Sequence, residues 1–210
     1  PNIRPIPYHR AVRLAIERTD TRQIETAWSD ALVTSMGDTG APIVMSDTEG
    51  FFIEQRARVV NASPEACYQA FTSLGGDTGW LYWNWIWEIR GWMDEVIGGV
   101  GVRRGRRHPT DLAVGDALDF WRVEALEPNR LMRLRAEMKV PGKAWLECSV
   151  KPAGERKSRL NISALFEPKG IGGPLYWYAM AIPHLFIFSG MARKIGERAE
   201  QTEKNLKDDN

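Results

Sequence analysis

Met132-Arg-Leu-Arg-Ala-Glu-Met138, then Ala144-Trp-Leu-Glu-Cys-Ser-Val150, then Leu160-Asn-Ile-Ser-Ala-Leu-Phe166 decide the fold of this chain. Each run places an apolar residue at every second position, the signature of a half-buried antiparallel strand. A fourth run, Asp119-Phe120-Trp121-Arg122-Val123, alternates less cleanly, and its inward parity stays open. Directly afterwards comes Leu175–Met191, an almost wholly apolar segment of helical character. A curved sheet with one apolar face, closed by such a helix, encloses either a packed core or a ligand cavity.

Working outward, Asn129 and Pro141-Gly142 mark the hairpin turns between these strands. Phe51–Val60 reads as an earlier strand, with Ile53, Ala57 and Val59 on one face and Glu54, Arg56 and Arg58 on the other. Ser63-Pro64-Glu65 opens a short helix through Cys67, Ala70, Phe71 and Leu74, because serine caps and proline suits the first turn. Gly75-Gly76 stops it. Trp80 to Trp92 holds five of the nine tryptophans and is expected to be helical, ending near Gly98-Gly99. Val102–Arg107 is an arginine-rich strand, and the tail after Ala192 is charged and expected to fray.

The order of elements predicts an α+β helix-grip fold, a curved antiparallel β-sheet wrapped around a long C-terminal α-helix. The chain resembles the SRPBCC (START-like, birch-pollen-allergen-like) superfamily of lipid and small-ligand carriers over about residues 50–200. Three motifs narrow this resemblance to a bacterial branch of unassigned function: Arg103-Arg-Gly-Arg-Arg-His-Pro109, Gly115-Asp-Ala-Leu-Asp-Phe-Trp-Arg-Val123 and Tyr176-Trp-Tyr178. In that branch the domain often follows an NAD(P)-binding Rossmann domain of the short-chain-dehydrogenase or NmrA-like type. Tyr8–Asp30, with an amphipathic helix over Tyr8–Arg18, is similar to the end of such a domain. The resemblance thus implies three parts. Residues 1–48 are a helical segment and a Ser/Gly/Pro-rich linker around Ser35–Gly50, residues 49–200 the ligand-binding domain, and residues 201–210 a charged tail. The chain is expected to belong to a longer protein, with the NAD(P)-binding domain upstream as a partner.

A formal charge of +1 argues against bulk electrostatic binding of nucleic acid. Two cysteines, Cys67 and Cys148, make no disulfide framework, and Cys148 lies on an apolar strand face as a buried thiol. With no secretory signal at Pro1-Asn-Ile-Arg-Pro5, the expected compartment is the cytoplasm.

Catalytic constellations are not evident. His9, His108 and His184 lack metal-ligand spacing. Ser189 has no nucleophile elbow around it, and Gly99-Val-Gly101 with Gly105 misses the dinucleotide fingerprint. No cofactor is therefore assigned to this chain. The arginine strand reads either as a solvated edge or as a source of one cation, Arg104 or Arg106, facing a wet cavity. Asp111, Asp116 and Asp119 are alternative internal partners. The tryptophan segment reads as core, as a lid, or as an interfacial anchor.

The expected function is binding of a hydrophobic or amphipathic, lipid-like molecule. Met132, Leu134, Met138, Leu146 and Ile162 would form apolar walls, Trp121, Tyr178 and His184 polar tips, and Arg106 would meet an anionic end. Two alternatives stand beside it. One is the substrate-holding half of an NAD(P)-dependent oxidoreductase, which requires Arg106, His108, His184 and an aspartate to converge. The other is a membrane or protein interaction module, which requires an exposed apolar patch.

Overall fold

A computed structural model describes residues 43–208 except 49, 83, 97, 100, 102–105 and 109–110. The expected helix at Tyr8–Arg18 and the resemblance over Tyr8–Asp30 lie outside the described residues, as does most of the expected arginine strand.

Seven strands form one antiparallel sheet in the order β1-β2-β7-β6-β5-β4-β3. They are β1 (Ile43–Thr48), β2 (Phe51–Val60), β3 (Ala117–Leu118), β4 (Trp121–Glu127), β5 (Leu131–Ala136), β6 (Gly142–Pro152) and β7 (Ser158–Pro168). Helices α1 (Pro64–Thr72) and α2 (Asn84–Val96) connect β2 to β3, and α3 (Gly172–Asp208) closes the domain. This is the α+β helix-grip arrangement that the alternating runs imply.

The three clean runs fall on β5, β6 and β7. Cross-strand partners align their apolar residues into rows, Val123–Leu134–Leu146–Ala164 and Leu126–Met132–Cys148–Ile162. A register shift between Val123 and Ala125 adds local bend and twist to the sheet. The fourth run alternates poorly because it straddles a turn. Asp119-Phe120 joins β3 to β4, with Leu118 opposite Trp121 and Asp119 at a φ of 53°. The parity is thereby fixed, with Trp121 and Val123 buried toward the helix side.

Helix α1 starts as the sequence implies. Ser63 Oγ accepts from Ala66 N at 3.2 Å and Pro64 occupies the first turn. Glycine is needed at Gly142, where a Cβ would run into the Glu167 carbonyl across the first rung of β6 and β7. It is needed again at Gly190, where a Cβ would run into the ring of Tyr82.

Four expectations change. Ile43–Thr48, inside the expected linker, is strand β1 and pairs along β2, because Ile43-Val44-Met45 suffices for an edge strand with a single partner. Trp80 precedes α2 instead of lying on it, yet is buried against Trp87, Phe120 and Trp121. The charged tail does not fray at Ala192, since α3 continues to Asp208 and runs on through Pro183. Its later turns bury Met191, Ile195, Ala199 and Glu203, one residue per turn.

The fourth change concerns β2. Glu54 lies opposite Ala164 and Arg56 opposite Ile162, so these charges share the face of the apolar rows. Both are buried. On the other face, Arg133 and Glu147 form a buried ion pair at 2.8 Å where alternation implies solvated charges.

Candidate functional site

A cavity of about 320 Å³ lies between the sheet and α3. From the sheet come Trp121 of β4, Ala144 and Leu146 of β6, and Ala164 and Phe166 of β7. Met138 and Val140 precede β6, and α2 adds Trp85, Trp87, Ile89 and Arg90. Helix α3 supplies Tyr176, Trp177, Met180, Pro183, His184, Ile187 and Phe188. The lining is mostly apolar and rich in aromatic rings. Its volume is roughly ten times that of a water molecule.

Aromatic stacking fixes the walls. Phe166 and Trp177 stack at 5.9 Å, and Phe52 stacks on Trp177 at 5.6 Å. Phe120 packs between Trp87 at 5.7 Å and Trp121 at 5.5 Å. The imidazole of His184 sits 4.8 Å from Phe188 and 5.8 Å from Trp177.

Polar atoms in and behind this wall are incompletely satisfied. The indole Nε1 atoms of Trp87 and Trp121 are buried without a hydrogen-bond partner, as are His184 Nδ1 and Glu54 Oε2. The last two lie 3.4 Å apart, close enough for an ion pair but not aligned as a hydrogen bond. Glu54 Oε1 is paired to Arg56 Nη2, and Arg56 Nε donates to Ser189 Oγ at 3.2 Å. A buried donor left unmet costs about 1–3 kcal/mol. Such atoms call for a partner of the kind that a water or a ligand supplies.

The structure divides the residues expected at the site. Trp121, Met138, Leu146 and His184 line the cavity. Met132, Leu134 and Ile162 are buried in the close-packed core instead. Tyr178 is 67% exposed and meets Phe52 edge-on at 5.8 Å.

Arg106 stands away from the cavity. Its Nη1 donates to the carbonyls of Thr72 at 2.7 Å and Leu74 at 3.1 Å, and its Nε to that of His108 at 2.6 Å. It therefore closes the C-terminal end of α1, where carbonyls lack helical donors. Arg107 holds Asp116 with two bonds of 2.8 and 3.1 Å at the surface. Asp119 takes no arginine and accepts from Trp80 Nε1 at 2.9 Å. Burial raises its carboxyl above the ordinary range, against the lowering effect of that indole and of the Gly76 amide. Arg106 and exposed His108 thus lie at the β3 edge, apart from His184, and the set required for catalysis does not converge. Among the described residues no cluster of His, Cys, Asp and Glu is placed to hold a metal ion.

Sequence reasoning missed Ala164, Phe166, Trp177, Ile187 and Phe188 in the cavity wall, and Glu54 and Arg56 behind His184. Three alternating charges on β2 read as a solvent face. Alternation gave no signal of this, because the opposite face carries Phe51, Ile53, Ala57 and Val59 and looks the more apolar, although Val59 is 55% exposed.

The model of a protein family of unknown function, DUF2867, matches residues 50–191, and the chain belongs to that family. No curated protein matches the sequence. Among solved structures, CalU16 from Micromonospora echinospora is similar at 14% identity and a TM-score of 0.37, over 76% of this chain and 92% of that one. A truncated norcoclaurine synthase from Thalictrum flavum gives 11% and 0.44, over 75% and 94%. The Zhui aromatase/cyclase from Streptomyces sp. R1128 gives 13% and 0.44, over 72% and 94%.

Proposed function

We propose that the domain binds an apolar or amphipathic, lipid-like small molecule in the cavity between the sheet and α3. The observation that carries this reading is the cavity itself, about 320 Å³ with a mostly apolar lining and unmet indole donors in its wall. Small-molecule sites combine an apolar body with a few polar groups that set orientation. Burying an alkyl chain there gains about 0.8 kcal/mol per methylene. Micromolar affinity needs about 8 kcal/mol net, within reach of a modest lipid-like ligand.

Trp87, Trp121 and Trp177 report directly on occupancy. Titration with a medium-chain fatty alcohol is expected to shift or quench their fluorescence saturably. Ala144→Trp, which fills the cavity from β6, is expected to weaken binding about tenfold, or about 1.4 kcal/mol. Titration curves that are flat, or identical in Ala144→Trp, would rule the reading out. Native mass spectrometry of the purified chain, followed by extraction, identifies the class of any co-purified molecule.

A specific observation favours a second reading, contact with a lipid surface. Trp85, Ile89, Trp92 and Val96 form an exposed stripe on α2, and Leu175, Tyr178, Ile182 and Phe186 are exposed on α3. Both helices also line the cavity. Tryptophan and tyrosine favour the membrane interface. Flotation with anionic vesicles is expected to carry the protein upward, and Trp85→Ser with Trp92→Ser to abolish this. Protein left at the bottom of the gradient would remove this reading and leave the first intact.

A further inference from the structure

We infer that His184 in the cavity wall, with Glu54 and Arg56 behind it, forms a proton-accepting anchor fitted to an apolar ligand that carries an acidic hydroxyl, a phenol or an enol. The inference rests on the cavity being a ligand site.

The inner row of Val123, Leu134, Leu146 and Ala164 continues across β2 at Glu54 to Met45 of β1, and the neighbouring row of Met132, Cys148 and Ile162 continues at Arg56 to Ile43. Two buried charges within otherwise apolar rows carry a desolvation cost that an isosteric apolar pair would avoid. Their arrangement is directional. Arg56 spans from Ser189 Oγ to Glu54 Oε1, which fixes the carboxylate. The second carboxylate oxygen, Oε2, is left toward His184 Nδ1 at 3.4 Å.

A carboxylate beside Nδ1 favours the tautomer with its proton there. Nε2 lies across the ring from Nδ1 and then carries the lone pair. His184 lines the cavity, and the proposed anchor turns this acceptor toward the ligand. A ligand that meets it must donate. A fatty acid carboxylate offers no proton, whereas a phenol or enol does. The proton passes from the ligand O–H to Nε2 and the bonding electron pair stays on oxygen. An imidazolium between the phenolate or enolate and the Glu54 carboxylate results. The oxyanion is in turn an acceptor of the kind that the unmet Trp87 and Trp121 N–H groups lack.

Charged groups around the ring are few. Glu54 and Arg56 come from β2, paired to each other. From α2 comes Arg90, whose Nη2 donates to the Lys139 carbonyl at 3.4 Å. The cavity residues of β4, β6 and β7 carry no charge. Glu54 Oε2 faces the ring, and Arg56 is held on the other oxygen of that carboxylate.

The test uses 4-nitrophenol, whose phenol and phenolate absorb at different wavelengths, beside 4-nitroanisole, which has no acidic proton. Both are expected to bind wild-type protein. Bound nitrophenol is expected to ionise about one pH unit or more below the free compound. His184→Gln, with unchanged near-ultraviolet circular dichroism, is expected to abolish that shift, and Glu54→Gln to reduce it. Nitrophenol that titrates alike free and bound in wild type, while nitroanisole binds, overturns the anchor alone. So does a shift that survives in His184→Gln. Failure of both compounds to bind wild-type protein overturns the cavity reading and the anchor with it.

Discussion

The two halves of α3 reverse the usual relation between apolarity and burial. Residues 172–190 are apolar nearly throughout, yet Leu175, Tyr178, Ile182 and Phe186 are exposed. From Met191 onward the helix is crowded with charges, yet Met191, Ile195 and Ala199 are completely buried. The second half packs on α1, where small residues Ala66, Cys67 and Ala70 allow close approach. Ser63 N and Oγ both donate to Glu203 Oε2, at 3.1 and 2.6 Å, and Asn61 N donates to Glu200 Oε1 at 3.0 Å. The first half borders a cavity and an open surface. Stability is concentrated in the polar-looking half, and room for a ligand lies beside the apolar-looking one.

The sharpest way to break this contrast is to truncate one isoleucine from each half. Ile195→Ala is expected to cost about 2–5 kcal/mol in chemical denaturation, as a fully buried aliphatic does. Ile182→Ala, at an exposed position, should stay within about 0.5 kcal/mol. Equal losses would refute the division.

Glu203→Ala comes next. It removes the acceptor for two donors of Ser63, itself the cap of α1, and should cost about 1–3 kcal/mol. Cys67 reports on the same contact. Burial pushes its thiol up to about 11 and Ser158 opposes this only in part. Thiol labelling under native conditions should be negligible in wild type and measurably faster in Glu203→Ala. Cys148, raised further by complete burial, should stay unlabelled in both.

On the cavity side, Asp119 gives the smallest effect and a definite sign. Its raised carboxyl holds a proton to higher pH in the folded protein than in the unfolded chain. Stability is therefore greatest below the ordinary carboxylate range and falls as pH rises through the raised value. Asp119→Asn keeps the acceptor for Trp80 and tolerates the positive φ. Unfolding curves between pH 3 and 8 should show that slope in wild type and lose it in the variant.

Much of the fold is legible from period-two patterning, because β5, β6 and β7 each bury one face against a helix. The Ser63-Pro64 start of α1 is legible for a local reason, since capping needs no tertiary partner. Patterning fails where long-range pairing decides. The inward parity of Glu54 and Arg56 depends on residues more than a hundred positions away, His184 and Ser189. The buried stripe on the charged half of α3 was written at one residue per turn, but Glu203 among its members masked it. Of the cavity, Trp121, Leu146, Met138 and His184 were within reach of alternation and composition. The separation of Met132, Leu134 and Ile162 into solid core was not, because the same rows run from packed interior to open space. Arg106 misled because an arginine beside a predicted cavity offers a cation for an anionic end, whereas here main-chain carbonyls take its donors.

The sheet order has a consequence for synthesis. Strand β2 leaves the ribosome before its central neighbour β7, which begins about a hundred residues later, and α3 follows later still. Until then, Glu54 and Arg56 stay hydrated and the edge meant for β7 stays open. Closing such distant partners is slow and leaves a long interval for misassembly. Holding charges on its inner face keeps the nascent β2 hairpin a poor template for other chains during that wait, so the two residues that stand behind His184 in the finished domain also guard the unfinished protein.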